Sequence, residues 1–260
     1  MTLLELRKVD KIFGGLHAVR GVSFQVEKGS IFGLIGPNGA GKTTLFNVIT
    51  GVYTPEHGEI LFGGKNIAGL RPALIAARGV ARTFQNIRIF RAMTVVENVM
   101  VAGHHLHSAS VLDSMLRTRR YETDEQALSK RARELLEIFG LAELAGEIAG
   151  SLPYGSQRRL EIARGLMLSP ELLLLDEPAA GMNSQEAQTL NEQIRFLRDQ
   201  LGLTVILVEH NMAVVMNVCE TIHVVDHGET IAQGTPAEIK THPKVLAAYL
   251  GEEATNEAVS

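Results

Sequence analysis

Residues 36–43 read Gly-Pro-Asn-Gly-Ala-Gly-Lys-Thr, the form G-x-x-x-x-G-K-[ST] of a phosphate-binding loop. An apolar stretch precedes it at residues 31–35, and a helix-like run follows at 44–49. That setting restricts the chain to folds in which a strand feeds a tight loop and then a helix. Gly36, Gly39 and Gly41 let the backbone wrap an anion closely, with Pro37, Asn38 and Ala40 filling the loop. Successive N–H groups then point inward, and the helix N-terminus at Thr44 adds positive dipole. Lys42 supplies a point charge for β- and γ-phosphates, and the Thr43 hydroxyl suits Mg²⁺. The loop predicts binding of a nucleoside triphosphate.

The remaining apolar runs fix the fold class. Residues 172–175 and 203–208 are continuous apolar stretches, the second broken only by Thr204, as buried parallel strands require. Between them Leu190, Ile194, Leu197 and Leu201 recur at helical spacing, and Asn183 with Glu186 forms a capping-box pattern. Val-Ser-Phe-Gln-Val at 22–26 alternates as a half-buried strand does. The expected fold is therefore α/β with a parallel sheet and an N-terminal β part. Residues 86–165 read differently. Helical patterns at 95–101 and 127–139, with no clear strand between, predict an inserted helical subdomain. The reading assigns 1–85 and 166–240 to the α/β core and 251–260 to a polar, frayed tail, within a single domain spanning 1–250.

Composition excludes several classes. The chain has 260 residues and a formal net charge of −4, which does not indicate a nucleic-acid surface. Cys219 is the one cysteine, so no intrachain disulfide forms. No apolar run approaches the length of a membrane span, and the first residues do not read as a signal peptide. A role at a membrane would need another chain to cross it.

Chemistry-bearing residues cluster at strand ends. Asp176 and Glu177 follow the run 172–175, at the edge where open α/β sheets bind ligands. Asp176 is placed to hold Mg²⁺, directly or through water; Glu177 points elsewhere and could orient an attacking water. Alone, such a pair reads as the start of a loop; behind a phosphate loop it reads as machinery. His210 follows the third apolar run and could reach a terminal phosphate, or could simply open a helix. Gln85 ends a short strand at 80–84, where its amide could bind metal or water, or merely end the strand.

The order of these features carries a resemblance. Residues 36–43, Gln85, Leu-Pro-Tyr-Gly-Ser-Gln-Arg-Arg at 152–159, the run 172–177 and His210 follow one another as in the ATP-binding subunits of ABC transporters, over about residues 3–250. Residues 79–86, 158–164, 176–183 and 242–251 look like the LivG-type subunit of branched-chain amino-acid importers. The resemblance implies a P-loop NTPase (RecA-like) core and two cassettes facing each other, with ATP between the phosphate loop of one and the signature segment of the other. It implies Phe13 stacked on adenine, Lys42 and the loop backbone on phosphates, and Thr43, Gln85 and Asp176 serving Mg²⁺. Glu177 would polarise water and His210 would contact the γ-phosphate. Pro153, Gly155 and Ser156 would face the partner's nucleotide. The implied partners are a second, related ATP-binding subunit, two transmembrane permease subunits and, indirectly, an extracellular or periplasmic solute-binding protein. The implied place is the cytoplasmic face of the cell membrane.

Two residues depart from the family pattern. Pro153 stands where the signature carries serine, and it lacks an N–H. Asn183 stands where an aspartate is usual, keeping hydrogen bonding without the charge. Pro153 motivates a rival reading, a nucleotide-gated module with little hydrolysis of its own; import of urea or amides is another. A DNA-repair or translation role would call for a long coiled-coil insertion or a second cassette, and neither is evident. Three features carry default readings: His104, His105 and His107 as exposed helix residues, Arg117, Arg119 and Arg120 as a solvated charged face, and Cys219 as buried and inert.

Overall fold

The computed structural model describes residues 1–103 and 118–249. The first part runs β1 (Thr2–Phe13), β2 (Leu16–Glu27), β3 (Ile31–Ile35), α1 (Lys42–Ile49), β4 (His57–Phe62), β5 (Lys65–Asn66), α2 (Pro72–Ala76) and β6 (Val80–Arg82). Then come α3 (Val95–Ala102), α4 (Arg119–Ile138) and α5 (Tyr154–Leu166). The chain continues through β7 (Leu172–Asp176), α6 (Ser184–Leu201), β8 (Thr204–Val208), α7 (Met212–Val218), β9 (Thr221–Asp226), β10 (Glu229–Gly234) and α8 (Pro236–Lys240).

Two sheets result. One is antiparallel, in the order β2-β1-β4-β5; the other runs β10-β9-β3-β8-β7-β6 and is parallel apart from β10. The continuous apolar runs are explained by what covers them. In β3, Ile31 and Ile35 join the helical side of the core, while Phe32 and Leu34 join the side under the antiparallel sheet and α1. The same alternation separates Leu173 and Leu175 from Leu172 and Leu174, and Val205 and Leu207 from Ile206 and Val208. Both faces of the central sheet are therefore dry, and each buried Leu or Ile is worth about 1.5–3 kcal/mol. On β2 one face alone is covered: Val22, Phe24 and Val26 are buried, and Ser23 and Gln25 are exposed.

Helices α3, α4 and α5 lie together between β6 and β7 in the chain and pack on one another. Thr94 and Glu97 box the start of α3, and Val95 and Val99 are buried. In α4, Leu128, Ala132, Leu135 and Leu136 form the buried stripe. The helix begins at Arg119, well before the 127 expected from apolar spacing, because Thr118 caps it by accepting from the Tyr121 N–H. The capping box of Asn183 and Glu186 is present at α6. Leu190, Ile194 and Leu197 are buried beneath that helix, but Leu201 is 53% exposed, contrary to the predicted stripe. Gly202 adopts the left-handed conformation there and turns the chain into β8, which leaves the last turn of α6 uncovered.

Cys219 is buried beside Gly33, and burial pushes its thiol up to about 12, in keeping with an inert role. Arg119 is exposed. The three histidines at 104, 105 and 107, Arg117, the Arg120 side chain and the tail 251–260 lie outside the described residues.

Candidate active site

The phosphate loop joins β3 to α1, and its shape depends on two glycines. A Cβ on Gly36 (φ +154°) would sit 2.0 Å from the Val225 carbonyl oxygen; one on Gly41 (φ +101°) would sit 2.4 Å from that of Ala18. Neither position has room for a side chain. Lys42 opens α1, is buried, and its ammonium donates to the Gly36 and Pro37 carbonyls at 2.6 and 2.7 Å. The charge is thus held inside the loop, aimed by its own backbone.

The loop forms one wall of a cavity of about 680 Å³. Phe13, Asn38, Gly39, Ala40, Gly41, Lys42, Thr43, Thr44, Gln85, Glu177 and His210 all line it. With His227 and Gly228, six separate segments of the chain converge on one space. Phe13 stands at the margin with 39% of its surface exposed, its ring edge-on to Tyr53 at 5.0 Å. Gly36 and Pro37 form the back of the loop instead. Pro153, Gly155, Ser156 and Asp176 do not line this cavity. A larger groove, about 940 Å³, lies on the antiparallel sheet around Arg7, Gln25 and Glu59 and contains none of the loop residues.

At the strand ends, Glu177 meets Gln85 and His210. One carboxylate oxygen lies 2.9 Å from His210 Nε2, and the other accepts from Gln85 Nε2 at 3.3 Å. Glu177 has a left-handed backbone (φ +48°), uncommon outside glycine, and its N–H donates to the Val208 carbonyl at 2.8 Å. The residue before His210 was missed by the sequence reading. Glu209 is buried and accepts from the N–H groups of Ala179 (2.7 Å) and His210 (3.1 Å), tying the two strand ends together. Burial, reinforced by the nearby Glu177 charge, raises its pKa above the ordinary carboxylate value.

Asp176 sits behind the cavity, 2% exposed. Its Oδ2 is 2.8 Å from the Arg82 guanidinium, which also donates to Asn47 of α1 at 2.6 Å. Arg82 stacks near the Phe46 and Phe84 rings. An arginine in Val-Ala-Arg-Thr-Phe carries no signal of this pairing, because the partner is remote in sequence. His17, Arg20, His227 and Gly228 also line the cavity and were not anticipated. The His-Gly pair between β9 and β10 was a readable hairpin signal. Its Gly228 N–H donates to the Ala40 carbonyl at 3.0 Å, and its carbonyl accepts from Arg20 N–H at 2.8 Å, so the hairpin braces the loop.

The segment 152–159 is built differently. Pro153 is the N-cap of α5 and is exposed, as is Tyr154, whose ring lies over Gly181. Gly155 and Ser156 are buried, and the Ser156 hydroxyl accepts from Arg159 at 3.1 Å. Asn183 Oδ1 accepts from the N–H groups of Gln185 and Glu186. The side chains of Ser156 and Asn183 are thus committed within the chain, and Pro153 and Tyr154 are what the start of α5 exposes.

Comparison with known proteins agrees with this geometry. Residues 19–180 match the ABC transporter family, and residues 229–255 match the branched-chain amino acid ATP-binding cassette transporter family. The chain is 46% identical over 250 residues to BraF of Pseudomonas aeruginosa, a high-affinity branched-chain amino acid transport ATP-binding protein, covering 96% of this chain and 98% of that one. It is 47% identical to LivG of Salmonella typhimurium, which carries the same description, over 92% of this chain and 94% of that one. A crystal structure of an ATP-binding cassette of an ABC transporter, in its ADP conformation, superposes with a TM-score of 0.84 at 34% identity, covering 97% of this chain and 100% of that one. The chain belongs to the ABC transporter family, among its LivG-type ATP-binding proteins.

Proposed function

We propose that this chain binds and hydrolyses ATP to power an importer for branched-chain or other hydrophobic amino acids. The meeting of Glu177 with Gln85 and His210 across from the phosphate loop carries the reading. In it, Phe13 stacks on the base at the cavity margin, and Lys42 exchanges its two loop carbonyls for phosphate oxygens. Glu177 accepts a hydrogen bond from the attacking water and turns it toward the γ-phosphate. His210, already on Glu177, fixes that carboxylate and reaches the same phosphate. Most of the acceleration comes from positioned charge.

The oxygen donors suit Mg²⁺: the exposed Thr43 hydroxyl and the Gln85 amide face the cavity. Asp176 belongs one layer behind them, because one of its oxygens is held by Arg82. When bound, Mg²⁺ would neutralise charge on the β- and γ-phosphate oxygens.

No helix among the described residues is long and apolar enough to cross a membrane, so the transport path belongs to other chains. We assign this subunit to the cytoplasmic face, bound to two permease subunits, with an external solute-binding protein delivering the solute. Pro153 favours a second cassette of different sequence, whose own signature completes the cavity described here.

The test is ATP hydrolysis by the complex co-purified with its membrane subunits in vesicles. Leucine with its binding protein should stimulate hydrolysis several-fold, and urea or acetamide should not. Stimulation by urea alone would replace the solute assignment. Equal, low hydrolysis under every condition would favour the nucleotide-gated module.

A further inference from the structure

Arg158 lies in the second turn of α5 and is fully buried. Its guanidinium is spent almost entirely on the loops that carry the proposed chemistry. Nη1 donates to the Phe84 carbonyl and to Glu161 Oε2 (2.8 Å). Nη2 donates to the Gln85 carbonyl at 2.8 Å and the Glu177 carbonyl at 3.3 Å. Glu161, one turn along the same helix and also buried, accepts from the Arg88 N–H at 3.1 Å. The stretch 84–88 is therefore pinned at three backbone points by two side chains of one helix.

That arrangement exceeds what packing needs. A buried charge pair gains little over apolar residues of similar volume. Here, the planar fork sets a distance that apolar residues could not. Its Nη2 ties the carbonyls of Gln85 and Glu177 to one nitrogen, and Glu177 has a left-handed backbone. The helix that carries the fork also begins at Tyr154, next to the exposed Pro153.

We propose that Arg158 is a positioning residue for ATP hydrolysis. It fixes the spacing of Gln85 and Glu177 and passes displacement of the signature helix, which faces the partner's nucleotide, to this chain's own cavity. The proposal rests on the roles given above to Gln85 and Glu177. Arg158 touches no substrate and acts through those two residues.

The test compares R158K, E161Q, E177Q and the R158K/E177Q pair in the complex with its membrane subunits. The measurements are kcat and KM for ATP and the affinity for a fluorescent ATP analogue. R158K keeps the charge but loses the fork. We expect its kcat to fall about tenfold to 100-fold, with KM and analogue affinity within about threefold. E161Q, which keeps the shape but only one of the two acceptors that serve Arg88 and Arg158, should lose about two- to fivefold in kcat. Adding R158K to E177Q should cost little more than E177Q alone, because both changes remove the same step. Wild-type kcat in R158K beside an impaired E177Q would overturn this proposal and leave the site reading standing. Wild-type turnover in E177Q would remove the site reading and this proposal with it. A full multiplicative loss in the double variant, or a rise in KM alone, would show Arg158 acting elsewhere and overturn the proposal. Should R158K fail to accumulate, E161Q and its pair with E177Q decide by the same criteria.

Discussion

The phosphate-loop cavity and the segment 152–159, proposed to serve this chain's nucleotide and a partner's, are built on opposite plans. The cavity gathers residues from six segments around shared space, and Lys42, Gln85, Glu177 and His210 all line it. The signature segment turns its side chains inward. Ser156 bonds to Arg159, Asn183 caps α6, and Arg158 reaches back under the cavity. What it leaves outward is Pro153 and Tyr154, at the start of a helix. In the proposed reading, side-chain chemistry is concentrated in the half this chain keeps, whereas the half lent to a partner relies on the start of a helix.

The largest effect that could break this contrast is loss of Lys42. Lys42→Ala removes a charge that no other side chain in the loop replaces. Nucleotide affinity measured by calorimetry should fall about 100-fold, in line with charged hydrogen bonds worth about 1.5–3 kcal/mol each. Unchanged affinity would mean that the loop backbone alone holds the phosphates and that both halves use one plan.

Next in size is Pro153→Ser. Position 153 is an exposed N-cap in extended conformation (φ −56°, ψ 151°), which serine adopts without strain. Turnover of the complex should rise about two- to fivefold, and stability by about 0.5–1 kcal/mol from the added cap. A gain in stability with no gain in turnover would sharpen the contrast, since backbone groups would then suffice in the lent half.

The smallest effect concerns acid. His223 of β9 is buried between Phe24 and Phe32, bonded at 3.0 Å to both Gln233 and Thr230. Burial lowers its pKa below the ordinary 6.5. The unfolded chain takes up a proton near 6.5 and the folded chain does not, so this contribution is full above 6.5 and is lost as pH falls below it. Hydrogen exchange should show β9 and β2 loosening between pH 7 and 5.5 before α5 does. Glu209 acts with the opposite sign, so the comparison that counts is with His223→Gln, which should lose most of the effect. Identical pH dependence in both proteins would exclude His223 as its source.

Much of the core was legible because its signals are local. Strands β3, β7 and β8 are apolar on both faces and read as continuous runs; the loop is an unbroken octapeptide; the cap of α6 lies within four residues. What escaped depends on partners far apart in the chain. Arg82 pairs with Asp176, and Arg158 reaches residues 84, 85 and 177. In sequence, each is one more charge in a polar stretch. Leu201 failed for the converse reason: its spacing continues the stripe, but the helix ends at the left-handed Gly202 and its last turn is exposed. Gln85, Glu177 and His210, read at separate strand ends, line one cavity. That Asp176 is shielded by Arg82, and that Ser156 is occupied, needed three dimensions.

The account turns on Glu177 as the group that orients water. The decisive measurement is steady-state ATP hydrolysis by Glu177→Gln in the complex with its membrane subunits, alongside ATP affinity. The amide keeps the shape but replaces one of the two acceptor oxygens with an NH2 donor and removes the charge. Turnover should fall about 100-fold or more, with affinity within about threefold of wild type. Wild-type turnover in that variant would contradict the account and move the chemistry away from this carboxylate.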